Sequence, residues 1–353
     1  MEPTALSLCV GIPTYKREAA LLRRLGELDG CRSQVSDIVI LDNDPLSQVG
    51  ERLAREKLPE TVRYFRNRAN VGACANILKV LEAARGTHLW FRGDDDRITP
   101  HVVETVHGKL GEGFDIVIFT SLDCGFHSGQ GLGDFCANPW VIRSARWVSA
   151  VTVPIDRALA AVDCGYYGVP FGWPHITLLV GILKKFPTTR WCLVSLPDAV
   201  DGFRDIGREE GMKYAYFRTG LQLFPRTAEI IEEPAARRAF LANARKAFGP
   251  RTVRTAVRLR LGYMAEEKIG WATVSSLVSW RDPRSTLLGL TLYALGVTPR
   301  WAIRAAACVA FAFLPDQRKE GFGFGFLKGV GSPLTSYRLL KANAQKDRAL
   351  CIY

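Results

Sequence analysis

The sequence predicts an α/β protein with a mostly parallel sheet, helices on both of its faces and a basic helical region appended at the C-terminal end. Three observations carry that expectation. Short apolar runs alternate with segments of helical spacing through the first 120 residues. Polar clusters recur where those apolar runs stop. The chain's entire +12 net charge falls in residues 241–353, which hold 18 Lys+Arg against 6 Asp+Glu, whereas residues 1–240 balance at 29 each.

The elements follow in order. Residues 5–12, apolar but for Ser7 and Gly11, read as a buried strand, and 18–28 have helical spacing. A second strand is expected over 36–41, a helix over 49–57, a short strand over 62–65 and a helix over 72–84. In that last helix Ile77, Leu78, Leu81 and Ala84 share a face. Strand 87–91, helix 99–110 and strand 115–120 complete the alternation, which implies parallel strands joined by right-handed crossovers. Residues 121–235 are rich in Gly, Pro and aromatics. There, 163–175 reads as a loop leading into a helix over 176–185, with Pro174 suited to its first turn. A charged helix is expected over 232–248. The expected organisation is therefore 1–120 and 121–248 as two halves of one α/β domain, and 249–353 as the basic helical region.

In open parallel sheets, ligands gather at the carboxyl ends of the strands. Three such ends carry polar clusters: Pro13-Thr14-Tyr15, Asp42-Asn43-Asp44 and Asp94-Asp95-Asp96. Adjacent carboxylates repel, so a triplet at a strand end suits a hard divalent cation, which in turn grips phosphate oxygens. An acidic turn before Pro100 is the plainer alternative.

Taken together, these residues resemble the inverting family 2 glycosyltransferases. Val10-Gly11-Ile12-Pro13-Thr14-Tyr15-Lys16-Arg17 is similar to the family's first strand and P-T-Y-N-R turn. Ile38 to Asp44 is similar to its second strand with paired acids. Asn70-Val71-Gly72-Ala73-Cys74-Ala75-Asn76 is similar to its N-x-G-x-x-x-N helix start, and Gly93 to Pro100 to its D-x-D-D-x-x-x-P signature. Gly93 stands where the family often has its first Asp, a variant similar to the abequosyltransferase-like subset of O-antigen enzymes. The resemblance implies the GT-A (Rossmann-like) fold, a nucleoside-diphosphate sugar donor, and Mn²⁺ or Mg²⁺ held by Asp95 and Asp96. It also implies donor contacts from Pro13, Thr14, Tyr15, Arg17, Arg68, Asn70, Gly72, Asn76, Asp94 and Asp95. Asp42 or Asp44 would accept the imide N–H of the base.

An inverting transfer also needs a base for the acceptor hydroxyl. The family's usual E-D pair is absent, and Gly172-Trp173-Pro174-His175 occupies the corresponding place. His175 is one candidate base, since imidazole titrates in the useful range, and Asp163 is the other.

The basic region combines arginines, with Arg251, Arg254, Arg258 and Arg260 close together, with apolar runs at 286–297 and 301–314. Both runs are too short to span a bilayer, and no nucleic-acid motif accompanies them. An anionic membrane face suits both features; a helical dimerisation region is the alternative. The nine scattered cysteines, without a C-x-x-C pair, fit reduced thiols, and no secretory leader follows Met1. The expectation is a cytoplasmic glycosyltransferase docked on the inner face of a membrane and extending a lipid-diphosphate-linked surface glycan. A nucleotidyltransferase would need a Gly-rich first loop, which Gly11 to Tyr15 does not supply. A catalytically silent scaffold of the same fold is the other alternative.

Overall fold

The computed structural model describes residues 6–55, 60–94, 96, 98–196, 223–244, 246 and 247, with scattered positions between 290 and 338. Asp95 and the 251–260 arginine cluster lie outside these residues. The chain divides into two compact units, residues 1–206 with 224–244, and residues 207–223 with 245–353.

In the first unit the expected alternation is present. Strands β1 (Leu8–Thr14), β2 (Asp37–Asp42), β3 (Val62–Arg66), β4 (His88–Phe91) and β5 (Ile116–Thr120) alternate with helices α1 (Glu18–Leu28), α2 (Val49–Arg55), α3 (Ala73–Ala83) and α4 (Pro100–Gly111). Each boundary has a local cause. In α1, Leu21, Leu25 and Leu28 form a buried stripe at helical spacing. Helix α4 begins at Pro100, capped by the Thr99 side chain accepting from Val102 N–H. Helix α3 begins at Gly72, whose φ of 84° and ψ of 152° suit glycine alone.

The second half adds what the sequence pattern did not disclose. Strands β6 (His127–Gln130), β7 (Val151–Pro154) and β8 (Arg190–Ser195) complete an eight-stranded sheet in the order β3-β2-β1-β4-β7-β5-β8-β6. Strand β7 runs antiparallel between β4 and β5, and β6 antiparallel at the edge. One sheet thus crosses residue 120. Helices α5 (Gly131–Ala137), α6 (Pro139–Ser144), α7 (Ile155–Ala160), α8 (Val162–Gly168) and α9 (Pro174–Lys185) follow, and residues 234–244 are helical within the span expected over 232–248. The expected loop at 163–175 is a correction. Residues 162–168 are helical and 169–171 form a 3₁₀ turn, because Gly165 and Gly168 let α8 lie close against its neighbours rather than break it. The core includes Trp90, fully buried and 5.9 Å from the Phe119 ring.

The α8–α9 contact yields a testable consequence. A Cβ on Gly168 would fall 2.0 Å from Thr177 Oγ1 and 3.0 Å from Pro174 Cα. Since φ at Gly168 is −77°, backbone strain is not at issue, and the cost is overpacking. Gly168→Ala should lower stability by about 2 kcal/mol, read from the urea midpoint at unchanged slope.

In the second unit the described positions between 290 and 297, and between 302 and 309, are helical. Leu290, Tyr293 and Val297 fall at helical spacing and are exposed, as is Val309. No described helix is long and apolar enough to cross a membrane. The seven described cysteines are free.

Candidate active site

Because β1, β2 and β4 are parallel, with Thr14 level with Asp42 and Gly11 level with Phe91, their polar ends share one edge of the sheet. The first of these ends is joined to the acidic turn. The Thr14 hydroxyl donates to Asp94 Oδ2 at 2.6 Å, and Arg17 Nη1 pairs with Asp94 Oδ1 at 3.3 Å. Asp94 is only 5% exposed, so these two partners bear on both oxygens of a carboxylate withdrawn from water. Between Thr14 and Arg17 the chain makes a tight bend. Lys16 adopts φ 57°, the one described non-glycine residue in the left-handed region, and its ammonium lies 5.3 Å from the ring centre of the exposed Tyr15. Pro13 is half-buried at the strand's end.

The acidic turn is held from behind. Arg92 N–H donates to Gly11 O at 2.9 Å, continuing the β1–β4 ladder by one residue. Gly93 N–H is shared between Ser149 Oγ at 2.9 Å and Asp96 Oδ2 at 3.1 Å, and Asp96 N–H returns to Gly93 O at 3.2 Å. Asp96 is 7% exposed. Among the described residues there is no group of three or more His, Cys, Asp or Glu side chains placed to hold a metal ion. The donor set nevertheless fits a hard cation of the Mg²⁺ or Mn²⁺ kind, which takes oxygen ligands, needs only one or two protein carboxylates, and completes its shell with water and phosphate. Asp96 and Asp95 are the residues that would hold it. Asp94, bonded to Thr14 and Arg17, ties the turn to β1.

At the end of β2, both Asp42 oxygens are engaged. Oδ2 accepts from Tyr64 O–H at 2.9 Å and Oδ1 from Asp44 N–H at 2.9 Å. Burial and the Asp42 carboxylate push the Tyr64 phenol up to about 12, so it remains a donor to that carboxylate. Asp42 is 2% exposed, whereas Asp44 is half-buried and accepts at Oδ1 from Leu46 N–H at 3.1 Å. Of the two acids offered for the base imide, Asp44 is the more open. An asparagine network sets the neighbouring loop. Asn43 donates to Asn70 Oδ1 at 2.7 Å and accepts from Val71 N–H at 2.9 Å; Asn67 donates to both Asn43 and Asn76; and Asn76 donates to Leu41 O at 2.9 Å. Asn70 and Gly72 are exposed at the start of α3, with Arg68 exposed beside them, while Asn76 is buried and fixes the loop from beneath.

The two candidate bases are not brought to this edge together. His175 is 4% exposed, with Nε2 at 3.1 Å from Arg146 O. Burial pushes its pKa down to about 4, so the ring is neutral at neutral pH but enclosed. Asp163 is exposed and paired with Lys185 at 3.0 Å. Ten residues of α9 separate Lys185 from His175, about 15 Å of helix, and this places Asp163 toward the opposite edge of the sheet. The Lys185 ammonium, mainly through its hydrogen bond, holds the Asp163 carboxyl below the usual carboxylate range. Four residues not singled out from sequence shape the site: Asn43, Asn67, Arg92 and Ser149. Asn43 and Asn67 sit within or beside the motifs and were within reach of a reading for polar support, whereas Ser149 has no local signal.

Residues 9–134 match the family model described as Glycosyl transferase family 2. No curated protein matches the sequence. The crystal structure of S. aureus TarS 1-349 is similar at 14% identity and TM-score 0.51, covering 97% of this chain and 92% of that one. The structure of S. aureus TarS is similar at 14% identity and TM-score 0.51, covering 96% of this chain and 55% of that one. The structure of TarS 1-349 in complex with UDP-GlcNAc follows at 11% identity and TM-score 0.50, covering 97% and 92%. At such identities the likeness concerns the fold, and the expected GT-A-like α/β fold is present.

Proposed function

We propose that this chain transfers a sugar from a nucleoside-diphosphate donor, with inversion, to a hydroxyl of a lipid-diphosphate-linked glycan at the inner face of a membrane, in bacterial surface polysaccharide synthesis. The observation that carries the reading is the convergence of the β1, β2 and β4 ends on one edge, with Thr14, Arg17 and the Asp94–Asp96 turn bonded into one unit. Transfer of a deoxysugar, as in the abequosyltransferase-like subset, is the finer form of this proposal and is supported by the Gly93-Asp94-Asp95-Asp96 sequence alone.

In this reading Tyr15 and Asp44 flank the base, while Arg68 and the Asn70–Gly72 loop face the ribose and phosphates at the N-terminus of α3, where the helix dipole favours anions. Asp96, with Asp95, holds Mn²⁺ or Mg²⁺, which when bound neutralises the diphosphate leaving group. Asp94 fixes the carboxylate turn against Thr14. The acceptor hydroxyl must lose a proton as the glycosidic bond forms. A base at His175 would need the layer around Arg146 to open, and one at Asp163 would need release from Lys185 and a different acceptor approach.

Membrane docking is supported by the +12 charge concentrated beyond residue 240 and by the exposed apolar side chains of Leu290, Tyr293, Val297 and Val309. Purified protein mixed with UDP-, GDP- and dTDP-sugars and Mn²⁺ should bind and hydrolyse or transfer at least one donor. Absence of both binding and turnover would overturn the enzyme reading, and binding without turnover would favour the silent scaffold. The same protein should co-sediment with phosphatidylglycerol vesicles, and the Leu290→Asp/Val297→Asp variant should not. Equal sedimentation of both proteins would refute the docking face.

A further inference from the structure

We infer that Ser149 is a positioning residue for the acidic turn, acting through Gly93 to keep the Asp96 carboxylate available to a cation. The inference rests on the donor-site reading above. Ser149 lies 53 residues beyond Asp96 in sequence, in the 3₁₀ turn Val148–Ala150 that leads into β7, and is 3% exposed. Three of its contacts converge on the end of β4. Its carbonyl accepts from Trp90 Nε1 at 3.0 Å and from Arg92 Nη1 at 3.2 Å, and its hydroxyl oxygen accepts from Gly93 N–H at 2.9 Å. The carbonyl contacts anchor residues 90 and 92, and the hydroxyl contact lands on the residue that opens the turn.

The competition at Gly93 decides the function of that hydroxyl. The same N–H also points at Asp96 Oδ2, at the longer distance of 3.1 Å. Hydrogen bonds from behind orient a ligating carboxylate and contribute to its metal affinity. Ser149 Oγ takes the shorter share of this donor and so fixes where the Gly93 N–H stands relative to Asp96. Without the hydroxyl, that N–H is held by Asp96 alone, and the carboxylate loses the fixed geometry from which it would meet a cation. The backbone carbonyl contacts to Trp90 and Arg92 are untouched by a side-chain change, so the fold around β4 and β7 is kept while the acidic turn alters.

Ser149→Ala should therefore weaken Mn²⁺ binding, measured by electron paramagnetic resonance of free Mn²⁺ in the presence of UDP or GDP, by about tenfold. Its melting temperature should remain close to that of the parent. Because the effect passes through the hydroxyl, Ser149→Thr, which keeps an oxygen acceptor, should bind Mn²⁺ within about twofold of the parent. Unchanged Mn²⁺ affinity in Ser149→Ala, an equal loss in Ser149→Thr, or a loss that tracks a lowered melting temperature would overturn the inference. Failure of the parent protein to bind Mn²⁺ with any nucleotide would instead remove the donor-site reading on which it stands.

Discussion

Asp96→Asn is expected to reduce Mn²⁺-dependent binding of nucleoside diphosphate by more than about 100-fold, since even the outer partners of metal ligands are commonly worth about 10–100-fold. The substitution is close to isosteric and retains an oxygen able to accept from Gly93 N–H, now at 3.1 Å from Asp96 Oδ2. It removes the negative charge a hard cation requires. Thermal stability should therefore stay within a degree or two of the parent while calorimetric titration of UDP or GDP with Mn²⁺ loses its heat, and any residual binding should no longer depend on the metal. Near-parental, metal-dependent affinity would show that residues 94–96 are only a turn before α4. The contrast with Asp94 is informative. Asp94 is neutralised by Arg17 and bonded to Thr14, so its charge is already matched within the protein, and it is Asp96 that has charge to offer a cation.

How far such roles were legible depends on whether their physical cause is local. The β-α alternation of residues 8–120 could be read because apolar runs and helical stripes are set by neighbours in sequence, and each strand end carried its own polar cluster. Strand β7 could not. Its Val151–Pro154 segment is short and buried on both faces, and its place between β4 and β5 is fixed by pairing with residues about 35 to 65 positions away. Ser149 stayed hidden for the same reason, since a serine before a short apolar run has no signature until β7 carries it under the acidic turn. His175 shows the converse. It was read as standing ahead of a helix, whereas it is the second residue of α9, and the whole first turn of α9 is buried; burial is a property of the packed layers rather than of the local sequence. Asp42 or Asp44 was read as the acid that accepts from the base. The β2–β3 pairing brings Tyr64 to Asp42, and the neighbouring Asp44 is left the more open acid.

The largest effect on stability is expected at the sheet edge opposite the acidic turn, where Asp37 gathers four segments of chain. Arg63 Nε donates to its carboxylate at 2.7 Å, Cys9 Sγ–H donates at 3.2 Å and Arg85 N–H at 3.1 Å, while Arg63 Nη2 also donates to Ala83 O at the end of α3. Burial alone would push the Asp37 carboxyl up; the hydrogen bonds and charge of Arg63, helped by Cys9 and Arg85, hold it below its ordinary value. Asp37 is 6% exposed in the parent, and Arg63→Ala takes the counter-charge from that withdrawn carboxylate at a cost of about 3–5 kcal/mol. The sign of the pH dependence separates this cause from simple loss of packing. In the parent, a depressed folded pKa means that the pair's stabilisation is complete above the unfolded value near 3.9 and is lost as pH falls through the folded one. In Arg63→Ala, burial without Arg63 raises the folded pKa above the unfolded value, so protonation relieves the variant. The stability gap between the two proteins should therefore narrow as pH falls from about 7 to about 4, measured by urea denaturation. Asp37→Asn/Arg63→Met, which removes both charges, should recover most of the loss at pH 7. A gap that stayed constant with pH, together with no recovery in the double variant, would mean that Arg63 stabilises the edge by its packing rather than by neutralising Asp37.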